Sequence, residues 1–189
     1  GYIILEQVIE SNMLFNSLEF FVFLPIIFIL FWFIGGKSIK RKNIILILAS
    51  YYFYGSWDYR FLSLIIISSL IDFKIGDQLG KTIDGKKRKR LLFLSLFSNL
   101  TILGFFKYFN FFIDSFTEGL SFFGTHVEGF SLEIILPVGI SFYTFQTLSY
   151  TIDVYRKNLK PTSDILAFLA FVSFFPQLVA GPIERASNL

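Results

Sequence analysis

The sequence predicts an all-α, polytopic transmembrane protein with about five to six membrane segments. Three observations lead there: the composition, the length of the apolar runs, and the placement of the charges. Of the 189 residues, 54% are hydrophobic and 20% aromatic, and only 16% are charged. A soluble domain carries about 25% charged residues. The charges here gather in clusters, and the apolar runs between them approach the roughly 20 residues that a membrane helix needs. Backbone polar groups cannot stay unpaired in lipid, so these runs are expected to be helices. Runs such as 20–33 show none of the apolar–polar alternation of a β-barrel strand.

The first span covers about residues 18–34. Pro25 lies inside it and is tolerable, because neighbouring helices can satisfy a freed carbonyl. Lys37, Lys40, Arg41 and Lys42 follow. The second span, about 43–54, ends in Tyr51, Tyr52, Phe53 and Tyr54, with Trp57 and Tyr59 close behind. Tyr and Trp favour the headgroup level, so residues 55–60 read as a tight interfacial turn. The third span returns over 61–75, and 77–90 reads as a polar loop ending in five consecutive basic residues. The fourth span is 91–113. Residues 114–133 read as a surface loop with a short interfacial helix. A fifth segment runs from Ile134 to about Tyr155. A sixth, 165–180, contains Pro176 and either spans the bilayer or re-enters it.

The basic residues test this arrangement. With the N-terminus outside, the loops after spans one, three and five face the cytoplasm. They hold the first basic cluster, Lys81 with residues 86–90, and Arg156, Lys157 and Lys160, which is most of the 17 basic residues. The outside connections hold Arg60, with Lys107 near the outer end of span four. That asymmetry follows the positive-inside rule and predicts a multi-pass protein of the bacterial cytoplasmic membrane.

The net charge of +3 is explained by topology and by contact with anionic lipid headgroups, so no nucleic-acid partner is expected. There is no cysteine, which removes thiolate chemistry and Cys-based metal sites. Acidic Glu6 and Glu10 precede the first run and Glu19 stands at its start, and no small-residue cleavage site follows it, so a signal peptide is not expected. Met13 is the single methionine. The reading is a leader or upstream extension over 1–12, then one truncated membrane domain over 13–189.

Few residues offer chemistry. His126, the single histidine, reads as a solvated loop residue, and without a second His or a Cys no metal site is predicted. Charged residues within spans are functional suspects. Asp72 and Lys74 read as snorkelling near the cytoplasmic interface. Lys107 either snorkels past the aromatics or lines a cavity. Gln146, Tyr150 and Asp153 are spaced four and three apart and share one helix face, extended by Ser149 and Arg156. Such a stripe either makes interhelical hydrogen bonds or lines a substrate cavity. Pro137 with Gly139 could break a helix, but Pro137 as a first helical residue is the expected reading. Pro176, Gly181 and Pro182 make a stronger break, which needs cover from protein or a water-filled cavity.

Four stretches carry a resemblance. They are Ile135-Leu-Pro-Val-Gly-Ile-Ser-Phe-Tyr-Thr-Phe-Gln-Thr-Leu-Ser-Tyr-Thr-Ile-Asp-Val-Tyr-Arg156, Ala49-Ser-Tyr-Tyr-Phe-Tyr-Gly55, Gly104-Phe-Phe-Lys-Tyr-Phe-Asn-Phe-Phe112 and Phe174-Phe-Pro-Gln-Leu-Val-Ala-Gly-Pro-Ile183. Taken in chain order they resemble the membrane-bound O-acyltransferases (MBOAT) of the bacterial alginate O-acetylation type, in their N-terminal portion. The resemblance implies a ring of helices around a funnel, and transfer of an acyl group, usually acetyl, to hydroxyls of an exported or cell-envelope polysaccharide. D-alanylation of teichoic acid is a related branch. It implies no bound cofactor, with acetyl-CoA or another activated acyl carrier as substrate. The implied partners are membrane lipids and the polysaccharide acceptor or a periplasmic or extracellular acyl-transfer protein.

The family's catalytic histidine is expected beyond Leu189, and His126 does not match it. A neutral histidine would accept the acceptor hydroxyl's proton as that oxygen attacks the donor carbonyl. Gln146, Tyr150, Asp153, Arg156, Gln177 and Lys107 are the candidates for lining or bracing the funnel. A transporter would show inverted repeats and a midplane ion site, and neither is visible. A non-catalytic membrane scaffold is the other alternative.

Overall fold

A computed structural model describes residues 17–122, 137 and 139–180, all as helices and short connections without a strand. Helix α1, Leu18–Ile29, opens with Ser17 accepting from the Phe20 N–H and passes into a π-helical turn, Leu30–Ile34. Helix α2 is Ile39–Trp57 and α3 is Tyr59–Lys81. Asp58 alone separates them, ending one helix and capping the next through its carboxylate (Arg60 N–H, 2.7 Å). The expected turn over 55–60 is therefore mostly helix. Helix α4, Gly85–Phe122, has 38 residues, about 57 Å at 1.5 Å per residue. Helix α5 is Ile140–Tyr155, α6 is Ile165–Ser173 and α7 is Phe175–Ala180.

Several expected boundaries move. The polar loop 77–90 shrinks to residues 82–84, because α3 continues to Lys81 and α4 begins at Gly85. Residues 114–122, expected as the start of a surface loop, continue α4. His126 and the remainder of that loop lie outside the described residues. Pro137 precedes α5 rather than opening it. Gly139 is the N-cap at a left-handed φ of 77°, which a side chain would strain, and an added Cβ would stand 3.3 Å from the Leu178 carbonyl. Residues 165–180 form two helices. The first, with nine residues, is about 14 Å long and too short to cross roughly 30 Å of hydrocarbon.

Among the described residues one helix, over Gly85–Ile113, is long and apolar enough to cross a membrane, and Leu18–Ile34 and Ile165–Leu178 are shorter apolar helices. Bulky side chains on α1 (Phe21, Phe28), on its π-helical turn (Phe33) and on α4 (Phe93, Phe97, Phe111) are exposed. A soluble protein would hide so large an apolar surface. Lipid accommodates it. The core instead joins α1, α2 and α7 through Phe20, Phe23, Phe53 and Phe175, with Phe53 and Phe175 ring centroids 5.2 Å apart. The aromatic run expected at the headgroup level is thus partly inward: Phe53 and Tyr54 are buried, while Tyr52 and Tyr59 are exposed. Helix α5 packs against α3, α4 and α6.

Candidate functional site: a broken helix and a buried polar cluster

Between α6 and α7 the helix breaks at Phe174 (φ −57°, ψ 102°). In an unbroken helix the Phe175 N–H would donate to the Phe171 carbonyl. The break separates them, and a flanking helix satisfies each. Gln146 Nε2 from α5 donates to the Phe171 carbonyl at 2.9 Å. Ser50 Oγ from α2 accepts from the Phe175 N–H at 3.3 Å. Irregular backbone at membrane depth needs such cover. Pro176 has no N–H to satisfy and sits in the first turn of α7, where that loss costs nothing.

A second polar group lies between α3, α4 and α5. Asp72 is fully buried. Ser95 Oγ donates to its Oδ1 at 2.5 Å, and Asn99 Nδ2 donates to its Oδ2 at 2.7 Å. Thr147 Oγ1 donates to Asn99 Oδ1 at 3.3 Å, bringing in α5. Asp72 is therefore not snorkelling. It sits well inside α3, because that helix runs on to Lys81. Lys74, on the opposite side of the helix, is exposed.

Arg88, one of the basic residues expected to set topology, is buried. Its guanidinium donates to the carbonyls of Leu79 and Thr82 (3.1 Å) and to those of Val154 (3.1 Å) and Tyr155 (2.9 Å). One side chain thus closes the C-terminal ends of α3 and α5, where carbonyls lack helical partners and the dipole favours a cation.

The six residues singled out from sequence do not meet in one place. Gln146 is at the break. Tyr150 is fully buried, its ring 4.8 Å from that of Phe168, with its hydroxyl accepting from the Thr162 N–H at 3.2 Å. Asp153 is half-buried near the end of α5, and its carbonyl accepts from the Asn158 N–H at 2.9 Å. Arg156 and Lys107 are exposed, Lys107 lying 5.6 Å from the Tyr108 ring centroid. Gln177 lines a groove of about 330 Å³ with Asn43, Leu46, Ala170, Phe171 and Phe174. Ser50, Asp72, Ser95, Asn99 and Arg88 were missed as members of these clusters. The available signal was serine, asparagine and aspartate recurring within apolar helices, where lipid cannot satisfy them. Among the described residues, no three His, Cys, Asp or Glu side chains gather as a metal site would require.

No family model matches the chain, and no solved structure matches it. Curated proteins do. The probable alginate O-acetylase AlgI of Pseudomonas aeruginosa is 40% identical over 180 residues, and that of Azotobacter vinelandii 39%. The peptidoglycan O-acetyltransferase of Helicobacter pylori is 32% identical over 204 residues. Each alignment covers 94% of this chain but only 34%, 35% and 38% of the respective relative, so the chain spans about a third of their length. With the ordered motifs and the all-helical build, this similarity matches the chain to a fragment of the bacterial membrane-bound O-acyltransferases of the alginate O-acetylation type.

Proposed function

We propose that the whole protein transfers an acyl group, acetyl by analogy with its relatives, to hydroxyls of an exported or cell-envelope polysaccharide. The observation that carries this reading is 40% identity to an alginate O-acetylase across 94% of the chain. The donor is acetyl-CoA or another activated acyl carrier, and the acceptor is the polymer or an acyl-transfer protein outside the membrane. The described helices form part of a ring of five to six membrane segments, entered from an outside N-terminus. The alternation of basic and aromatic connections supports that topology.

In this reading the broken helix and the Asp72 cluster fix the packing of α2 to α7 and so shape one wall of the funnel. Gln146, Tyr150, Asp153, Arg156, Gln177 and Lys107 line or brace it. Removing the gene should abolish O-acetyl esters on envelope polysaccharide, read by NMR of the purified polymer. An unchanged ester content would sink the proposal. Alanine at the six positions in the full-length protein should lower transfer while folded protein persists.

A further inference from the structure

A groove of about 270 Å³ runs along α1 and its π-helical turn to the break before α7. Its lining includes Leu24, Ile27, Phe28, Phe31, Trp32 and Phe174. The trough is apolar, open along one side, and lies among the lipid-facing residues of α1. One end meets a charge: Lys42 Nζ stands 4.9 Å from the Phe31 ring centroid and 4.8 Å from that of Trp32, both groove residues. Lys42 is half-buried, and its ammonium has no carboxylate partner among the described residues. Lys37, Lys40 and Arg41, within five residues of Lys42 in sequence, are exposed. Leu46, Phe175 and Pro176 complete the lining.

A trough that is apolar along its length and cationic at one end fits a molecule of the opposite pattern. We propose that it binds an anionic glycerophospholipid, with one acyl chain along Phe28, Phe31 and Phe174 and the phosphate at Lys42. The rings under the ammonium hold it in place by cation–π attraction. The basic residues close to Lys42 in sequence strengthen the preference for a negative headgroup. The π-helical turn, a feature frequent at functional sites, presents Phe31 and Trp32 to both the lipid chain and Lys42. Because the groove abuts the break, an occupying chain would pack directly on Phe174 and Phe175.

The test uses the full-length protein reconstituted in bilayers of equal phosphatidylglycerol and phosphatidylcholine, then analysed by native mass spectrometry for retained lipid. Phosphatidylglycerol should be retained preferentially. Lys42→Gln should reduce that preference about fivefold, as expected for one basic residue at the headgroup level. Lys160→Gln, an exposed lysine elsewhere, should leave it unchanged. A wild-type ratio near one, or a ratio unmoved in a folded Lys42→Gln protein, would overturn the proposal. Should that variant not fold, a bimane-labelled Leu24→Cys protein decides. Stronger quenching by brominated phosphatidylglycerol than by brominated phosphatidylcholine supports the site. Equal quenching overturns it, and so does none, which would mean that another part of the protein or a second copy fills the groove.

Discussion

Gln146 of α5 donates through Nε2 to the carbonyl of Phe171 in α6, 2.9 Å away, filling the place that the Phe175 N–H would hold in an unbroken helix. Gln146→Leu keeps the side-chain volume and removes the donor that the Phe171 carbonyl has across the break. The expected loss is about 1–2 kcal/mol of stability, measured by reversible unfolding in mixed micelles. A Gln146→Leu protein as stable as wild type would mean that the break does not depend on this bond.

Ser50 supplies the other half of the repair, accepting from the Phe175 N–H. Ser50→Ala should cost roughly 1 kcal/mol by the same measurement. Because the two bonds serve one break, the double variant should depart from additivity by at least about 0.5 kcal/mol. Strict additivity would show two independent sites.

Asp72→Ala removes the acceptor of two buried donors, on Ser95 and Asn99, so a loss of roughly 2–4 kcal/mol is expected. Asp72→Asn retains an acceptor and should cost less. The ordering of these variants in unfolding free energy is the check, and an alanine variant no worse than asparagine would contradict the clasp.

This cluster marks where sequence reading stopped. The apolar run of α3 ends near Ile75, which placed Asp72 at an apparent interface. Helix α3 continues through Gly76, Asp77 and Gln78 to Lys81, so Asp72 lies inside it. Its partners are 23 and 27 residues away, and no local periodicity pairs them. Helical class and the helix-face spacing of Gln146 with Tyr150 were legible, because each follows from local pattern; the break expected over Pro176 to Pro182 stands instead at Phe174, and Gly181 and Pro182 lie outside the described residues. Arg88 was not: within five consecutive basic residues, nothing marks the one that turns inward.

Arg88→Lys should not substitute for arginine. A single ammonium cannot reach carbonyls of both α3 and α5 in the geometry of the planar guanidinium. The expected loss is about 2 kcal/mol, against less than about 0.5 kcal/mol for Lys87→Gln on the exposed side of the same run. Equal effects would reduce Arg88 to one more topology charge.

Gly76 carries the Tyr150 ring directly on its backbone, and an added Cβ would fall 2.5 Å from that ring. Gly76→Ala should cost roughly 1–3 kcal/mol by overpacking, partly relieved when Tyr150→Leu is added. Full stability in Gly76→Ala alone would show that α3 and α5 can separate without penalty.

The length of α4 has a consequence for its reach across the bilayer. Even tilted by about 40°, the steep end of the usual range, its 38 residues rise roughly 44 Å along the membrane normal, against about 30 Å of hydrocarbon. Its basic first turn takes up the excess on one side. On the other, Phe111, Phe112 and Phe116, all exposed, carry the helix through the headgroup layer. At that tilt helix α4 therefore reaches from one headgroup layer to the other, about 40–45 Å in all, and only at a smaller tilt does its far end project beyond the membrane surface.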